Sequence, residues 1–124
     1  MWKYYNPNPK ENLTTDCTVR AISLAIGESW DDVYSDLAIK GFISKKMPSN
    51  DSLWNAYVRG KGFRVRPVPD TCPDCYTLRD FCEEHPKGTY LVKCEEHLVC
   101  AIDGDYFDTW DSGDQTVFYY FTKE

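Results

Sequence analysis

Basic residues are in short supply in this chain. Its 14 lysines and arginines stand against 20 acidic residues, a net charge of −6. No basic run or patch is visible, which argues against nucleic acid as a partner. Long apolar runs are missing too. No window reaches the roughly 20 residues that a membrane span needs, so no membrane partner is expected. The opening MWKYYNPNPKE lacks the apolar segment of a secretory signal. The expected setting is therefore cytoplasmic, with the six cysteines as reduced thiols rather than a disulfide framework. Internal repeats and low-complexity segments are absent. Histidine is the scarcest chemical resource, present only as His85 and His97. With 124 residues and a 42% apolar share, the chain suffices for one core, and residues 1–124 read as a single domain.

The stretch TTDCTVRAIS, from Thr14 to Ser23, is the first with chemical content. Thr14, Thr15 and Asp16 are N-cap residue types, whose side-chain oxygens can accept first-turn N–H groups. Val19, Ala21, Ile22, Leu24, Ala25 and Ile26 follow, and Gly27 offers a C-cap. Cys17 thus stands in the first turn of a predicted helix. The positive end of the helix dipole lowers a thiol pKa there and favours the thiolate. The plain alternative is a buried cysteine that happens to open a helix.

The rest of the chain divides by period. Residues 1–13, with three asparagines and two prolines, read as extended. A second helix starts at a capping-box-like Ser29 and Asp32 and is expected to end at Gly41. A third spans about Asp51 to Arg59, with Asn50 as its cap. From Phe63 the pattern alternates as in strands. A short helix from about Thr77 to Glu84 interrupts it, and TYLVKC, HLVCAI, YFDTWD and TVFYYFT read as further strands. Asp103-Gly104 between the second and third of these is a hairpin signal. Helices first and a mostly antiparallel sheet afterwards define an α+β fold.

A cysteine nucleophile needs a base, and the base needs an orienting group. His85, in EEHPKG, reads as a solvated loop residue. His97 heads a strand and is the candidate base. With a three-residue loop Asp103-Gly104-Asp105, Ile102 faces Tyr106 and His97 faces Asp111. Opposed residues share a sheet face, with Cβ atoms about 4.5–5.5 Å apart. Asp111 is then the expected orienter. A two-residue loop would instead put Trp110 opposite His97, and Asp108 remains the alternative orienter.

Cys17 at a helix start, His97 on a strand 80 residues later and an aspartate on the next strand resemble the papain-like cysteine peptidase superfamily. The likeness is to its small members, such as the bacteriocin-processing peptidase domains. DCTVRAIS resembles their Asp-Cys-Gly-x-Ala helix start, with Thr18 in place of the glycine. DTWDSG resembles the Asn-Ser-Trp-Gly region, and Asp108-Thr109-Trp110 matches its order better than Asp111 does. The whole chain also resembles short proteins of bacteria and their phages that share NPK…DCxxRAIS and SWDDVY. The resemblance implies a papain-like fold, with N-terminal helices packed on the sheet, in a bacterium or a phage-infected host cell. It implies a Cys17–His97–Asp111 hydrolase acting on an amide or thioester carbonyl of a protein or peptide substrate, without a cofactor. These enzymes carry an oxyanion-binding glutamine shortly before the cysteine. Here Glu11 holds that place, so Asn12, or else Asn6 or Asn8, becomes the candidate donor beside the Cys17 N–H.

Two readings compete with the enzyme. One is a catalytically silent papain-like fold that binds a protein. The other is a zinc-stabilised interaction domain: Cys72 and Cys75 have zinc-knuckle spacing, and Cys82, Cys94 and His97 could complete a site. No second CxxC pair supports zinc, and CPDC reads more simply as a tight turn. Cys100, alternating with Leu98 and Ile102, reads as core. The aspartates from Asp103 to Asp114 lack EF-hand spacing and read as a solvated hairpin.

Overall fold

The computed structural model describes residues 1–71 and 73–123. In chain order the elements are β1 (Trp2–Tyr4), α1 (Cys17–Ile26), α2 (Trp30–Ser44), α3 (Asp51–Gly60) and β2 (Phe63–Pro67). They continue with α4 (Leu78–Glu84), β3 (Thr89–Cys94), β4 (His97–Ile102), β5 (Asp105–Asp108) and β6 (Val117–Lys123). The six strands form one sheet in the order β1-β5-β4-β3-β6-β2. Every pairing is antiparallel except that of β1 with β5. The fold is α+β, with a mixed sheet. Among the described residues no helix is long and apolar enough to cross a membrane.

Helices cover both faces of the sheet. On one, Val19 and Ile22 of α1, Val33 and Leu37 of α2, and Trp54 and Val58 of α3 pack on Leu91, Leu98, Cys100 and Phe121. On the other, Leu78, Phe81 and Cys82 of α4 pack on Val92, Val99, Ala101 and Val117. Central strands buried on both sides carry apolar residues at successive positions, which is why HLVCAI reads as a continuous run. Cys100 lies in the core, as its alternation implied.

Helix ends follow local chemistry. Asn50 accepts the Ser52 and Leu53 N–H groups, and Thr77 forms a reciprocal capping box with Asp80. Gly27 closes α1 in the left-handed conformation at φ 71°. Gly41 does not end α2, which runs on to Ser44. Its missing side chain serves a close approach instead, because a Cβ there would overlap the Lys46 carbonyl oxygen. Strand β1 was not legible as a strand: it has three exposed residues and no alternating apolar face.

The β4–β5 hairpin departs from the expected register by one residue. Ile102 pairs with Asp105, Ala101 with Tyr106 and Cys100 with Phe107. The loop is therefore two residues, Asp103 and Gly104, at φ 50° and 85°. Positive φ at both positions matches a type I′ turn, whose twist suits antiparallel strands. Asp103 is held further by accepting the Gly88 N–H at 2.8 Å. Continued outward, this register sets Trp110, not Asp111, opposite His97.

Two isoleucines test the packing. Ile22 is fully buried and Ile39 is 60% exposed. Ile22→Ala is expected to cost about 2–5 kcal/mol in urea unfolding, and Ile39→Ala less than about 0.5 kcal/mol. Equal losses would contradict this arrangement of α1 and α2.

Candidate active site

Cys17 is the first residue of α1, and α1 packs across β4. The N–H groups of a helix's first turn lack intrahelical partners. Asp16 holds the N-cap position but makes no side-chain cap bond. Its carboxylate turns away instead, accepting from Arg20 and, at 2.9 Å, from Trp30 Nε1. The amides beside the thiol are therefore not claimed by the cap side chain.

His97 opens β4 directly after the two-residue turn Glu95-Glu96. Its Nε2 lies 2.6 Å from Asp108 Oδ2. That occupies one ring nitrogen, and the imidazole and the Cys17 thiol line one pocket, near enough for each to shift the other's proton affinity. Nδ1 is the nitrogen that Asp108 does not take. The Trp110 ring stands 5.1 Å from the His97 ring, tilted by 42°.

Asp108 ends β5 and is only 1% exposed, so it is no part of a solvated hairpin. Four donors reach its carboxylate. Oδ1 accepts from Arg20 Nη2 at 2.9 Å and from the Thr109 N–H at 2.8 Å. Oδ2 accepts from His97 and from Ser112 Oγ at 2.7 Å. Its backbone carbonyl is taken by Trp2 Nε1 and the Tyr5 N–H. Strand β1 thus braces the backbone that carries this aspartate.

Asp111, the expected orienter, is not brought to His97. It accepts from the Tyr106 hydroxyl and from the Gly113 N–H at 3.1 Å, with Arg79 nearby. The one-residue register difference accounts for this, and Asp108 holds the place beside the imidazole. Asn12 does not line the pocket at Cys17. Local turns at Asn8 and Glu11 aim it into the adjoining pocket, where its carbonyl accepts from Asn6 Nδ2 at 3.3 Å. Asn8 lines that adjoining pocket as well.

Proton affinities are displaced at this point. Burial opposes ionisation of Cys17, yet the nearby His97 imidazole and Leu98 N–H, with the Arg20 charge, bring the thiol below its ordinary value. Burial works against protonated His97, but Asp108 and Cys17 outweigh it and raise the imidazole to about 9. Burial would also raise Asp108, whose bonds from His97 and Ser112 hold it below the usual carboxylate value. Cys82 and Cys94 go the other way, pushed up by burial to about 11 and about 12. Both shifts favour a thiolate beside an imidazolium.

Two pockets flank Cys17. One, of about 210 Å³, is lined by Cys17, Ser49, Trp54, Lys93 and His97, among others. The other, of about 460 Å³, is lined by Asn12, Trp30, Tyr34, Met47 and Pro48, among others. Both touch Thr18 and Ser49. The Trp30 and Tyr34 rings stack at 5.0 Å on the wall of the larger one.

The other sequence candidates lie elsewhere. His85 caps α4 and stacks on Phe81 at 3.9 Å, so it packs among aromatic rings rather than in a solvated loop. Cys75 is exposed, and the CPDC reading falls partly on Cys72, outside the described residues. Among the described residues no cluster of three or more His, Cys, Asp or Glu could hold a metal ion. Sequence reasoning missed Arg20, Ser112 and the braces from β1. Buried polar residues within apolar or Gly/Ser-rich stretches were their only signal. Compared with protein-family models, curated proteins and solved structures, the chain finds no match.

The titration of His97 follows from its two partners. In the wild type, ring ¹⁵N chemical shifts should report an imidazolium that persists through neutrality and loses its proton near pH 9. In Asp108→Asn the loss should move to lower pH, because the negative partner is gone. An unchanged titration would show that Asp108 does not hold the charge.

Proposed function

We propose that this chain is a papain-like, cysteine-dependent hydrolase acting on an amide or thioester carbonyl, with Cys17 as nucleophile, His97 as base and Asp108 as orienter. The observation that carries the reading is the buried line from Asp108 through His97 to a thiol at a helix N-terminus. Resting thiolate and imidazolium supply the nucleophile without an external base. Cys17 Sγ attacks the carbonyl carbon, and the carbonyl π electrons move onto oxygen. The N–H groups at the start of α1 donate hydrogen bonds to that oxyanion. As the tetrahedral intermediate collapses, the bond to the leaving group breaks and His97 delivers its proton there. Water, deprotonated by His97, then attacks the acyl thioester; the carbon–sulfur bond breaks, the acid leaves and the Cys17 thiolate is restored beside the His97 imidazolium. Asp108 keeps Nε2 occupied, so Nδ1 performs both transfers.

The adjoining pockets favour a peptide or protein substrate. Trp30, Tyr34, Met47 and Pro48 offer an apolar wall beside the nucleophile. They suit a substrate with a bulky apolar side chain next to the scissile carbonyl. Asn12, facing the same pocket, is assigned to substrate contact rather than to the oxyanion.

Alkylation by iodoacetamide, read by mass spectrometry, tests the nucleophile. At pH 6 Cys17 should react ahead of the other five cysteines, and His97→Ala should slow it at least about tenfold, the effect of one unit in thiol pKa. Peptide thioesters should then be hydrolysed by the wild type and not by Cys17→Ala. A Cys17 that titrates as an ordinary thiol, indifferent to His97, would leave a silent fold that binds a protein as the better reading.

A further inference from the structure

Resting on the cysteine-hydrolase reading, we propose that Arg20 is a positioning residue that acts through Asp108 to fix the Cys17–His97 pair. Arg20 is 6% exposed and lies three residues after the thiol on α1. Its guanidinium forks between two carboxylates. Nη1 donates to Asp16, and Nη2 donates to Asp108 Oδ1 at 2.9 Å. The other oxygen of Asp108 receives His97 at 2.6 Å. The arginine therefore stands on the far side of the carboxylate from the imidazole and joins the nucleophile's helix to the base's partner.

Two consequences follow from that placement. The first is geometric. Asp108 Oδ1 is bound by Arg20 and Thr109, which fixes the carboxylate plane and presents Oδ2 to Nε2. A rigid guanidinium fork suits this better than a point charge does. The second is electrostatic. Asp108 is 1% exposed, and a buried carboxylate without a cation is driven toward its neutral form. A protonated Asp108 would stabilise an imidazolium poorly, and the proton shared by Cys17 and His97 would return to sulfur. Arg20 keeps Asp108 charged and adds its own attraction for the thiolate, without touching substrate. Only the route through Asp108 lowers the pH at which His97 loses its proton in Arg20→Gln, because removing a nearby cation by itself would raise it.

The titratable and charged groups that face the pair from other elements are Asp51 of α3, Lys93 and Cys94 of β3, and Glu96 of the turn that follows, with Asp16 beside Cys17. They are common to wild type and variant, so a comparison between the two isolates Arg20. The experiment follows iodoacetamide alkylation of Cys17 against pH in wild type, Arg20→Gln and Arg20→Lys. At pH 6 Arg20→Gln is expected to react at least about tenfold more slowly than wild type. The rates should converge near pH 10, where an ordinary thiol is ionised. Arg20→Lys should recover part of the loss, because it restores charge but not the fork.

A purely structural arginine would lower the urea midpoint without moving the profile. Superimposed profiles for wild type and folded Arg20→Gln therefore overturn the proposal while leaving the thiolate–imidazolium pair standing. An ordinary thiol profile in the wild type overturns the hydrolase reading and the proposal together. If Arg20→Gln fails to fold, Arg20→Lys decides by the His97 ring ¹⁵N titration. Proton loss at lower pH than in wild type supports the role, and an unchanged titration overturns it.

Discussion

The buried carboxylate of Asp108 is the interaction on which the site depends. A charge this far from water is tolerated only when paired and fully hydrogen-bonded. Here each oxygen has two donors, drawn from α1, β4 and the loop after β5. Signs alternate along the line from Asp16 through Arg20 and Asp108 to His97 and Cys17. A proton passing between the last two leaves the net charge of the line unchanged. That makes the transfer compatible with burial, since no new uncompensated charge appears. Losing one member of such a set leaves its neighbour unpaired, at a typical cost of about 3–5 kcal/mol.

The cap of α1 shows how local structure serves this centre. An aspartate before a helix usually satisfies first-turn amides. Asp16 instead spends its oxygens on Arg20 and the Trp30 indole. The helix gives up some local stabilisation, and the amides beside Cys17 stay unclaimed by the cap side chain. The same turning of Asp16 ties α2 to α1 through Trp30, which also lines the larger pocket. The helix start at Cys17, the pocket wall and the charged line are therefore joined by one residue's choice of partners.

Much of this was legible in the residues. Periodicity marked α1 to α4 and the later strands, and scarcity of histidine narrowed the base to one candidate. Cysteine at a helix start needed only the cap pattern and Gly27 to be seen. What the residues did not reveal was register. Asp111 and Asp108 are close in sequence and chemically alike, and only the length of the turn at Asp103-Gly104 separates their roles. Arg20 was hidden for a different reason. A lone arginine in an apolar helix reads as a surface residue until its long-range partner, 88 positions away, is known. Strand β1 escaped because it gains its order from the edge of β5 rather than from its own pattern.

The turn between β4 and β5 also restricts how this sequence can change over descent. Side chains along a strand alternate between faces, so one residue added or lost in that turn exchanges which groups meet His97. Substitutions at the turn can be absorbed wherever positive φ is allowed. Odd changes of length cannot, because they would trade Asp108 for a neighbour of different chemistry. Lineages carrying this site should therefore keep the turn's length even where its letters drift.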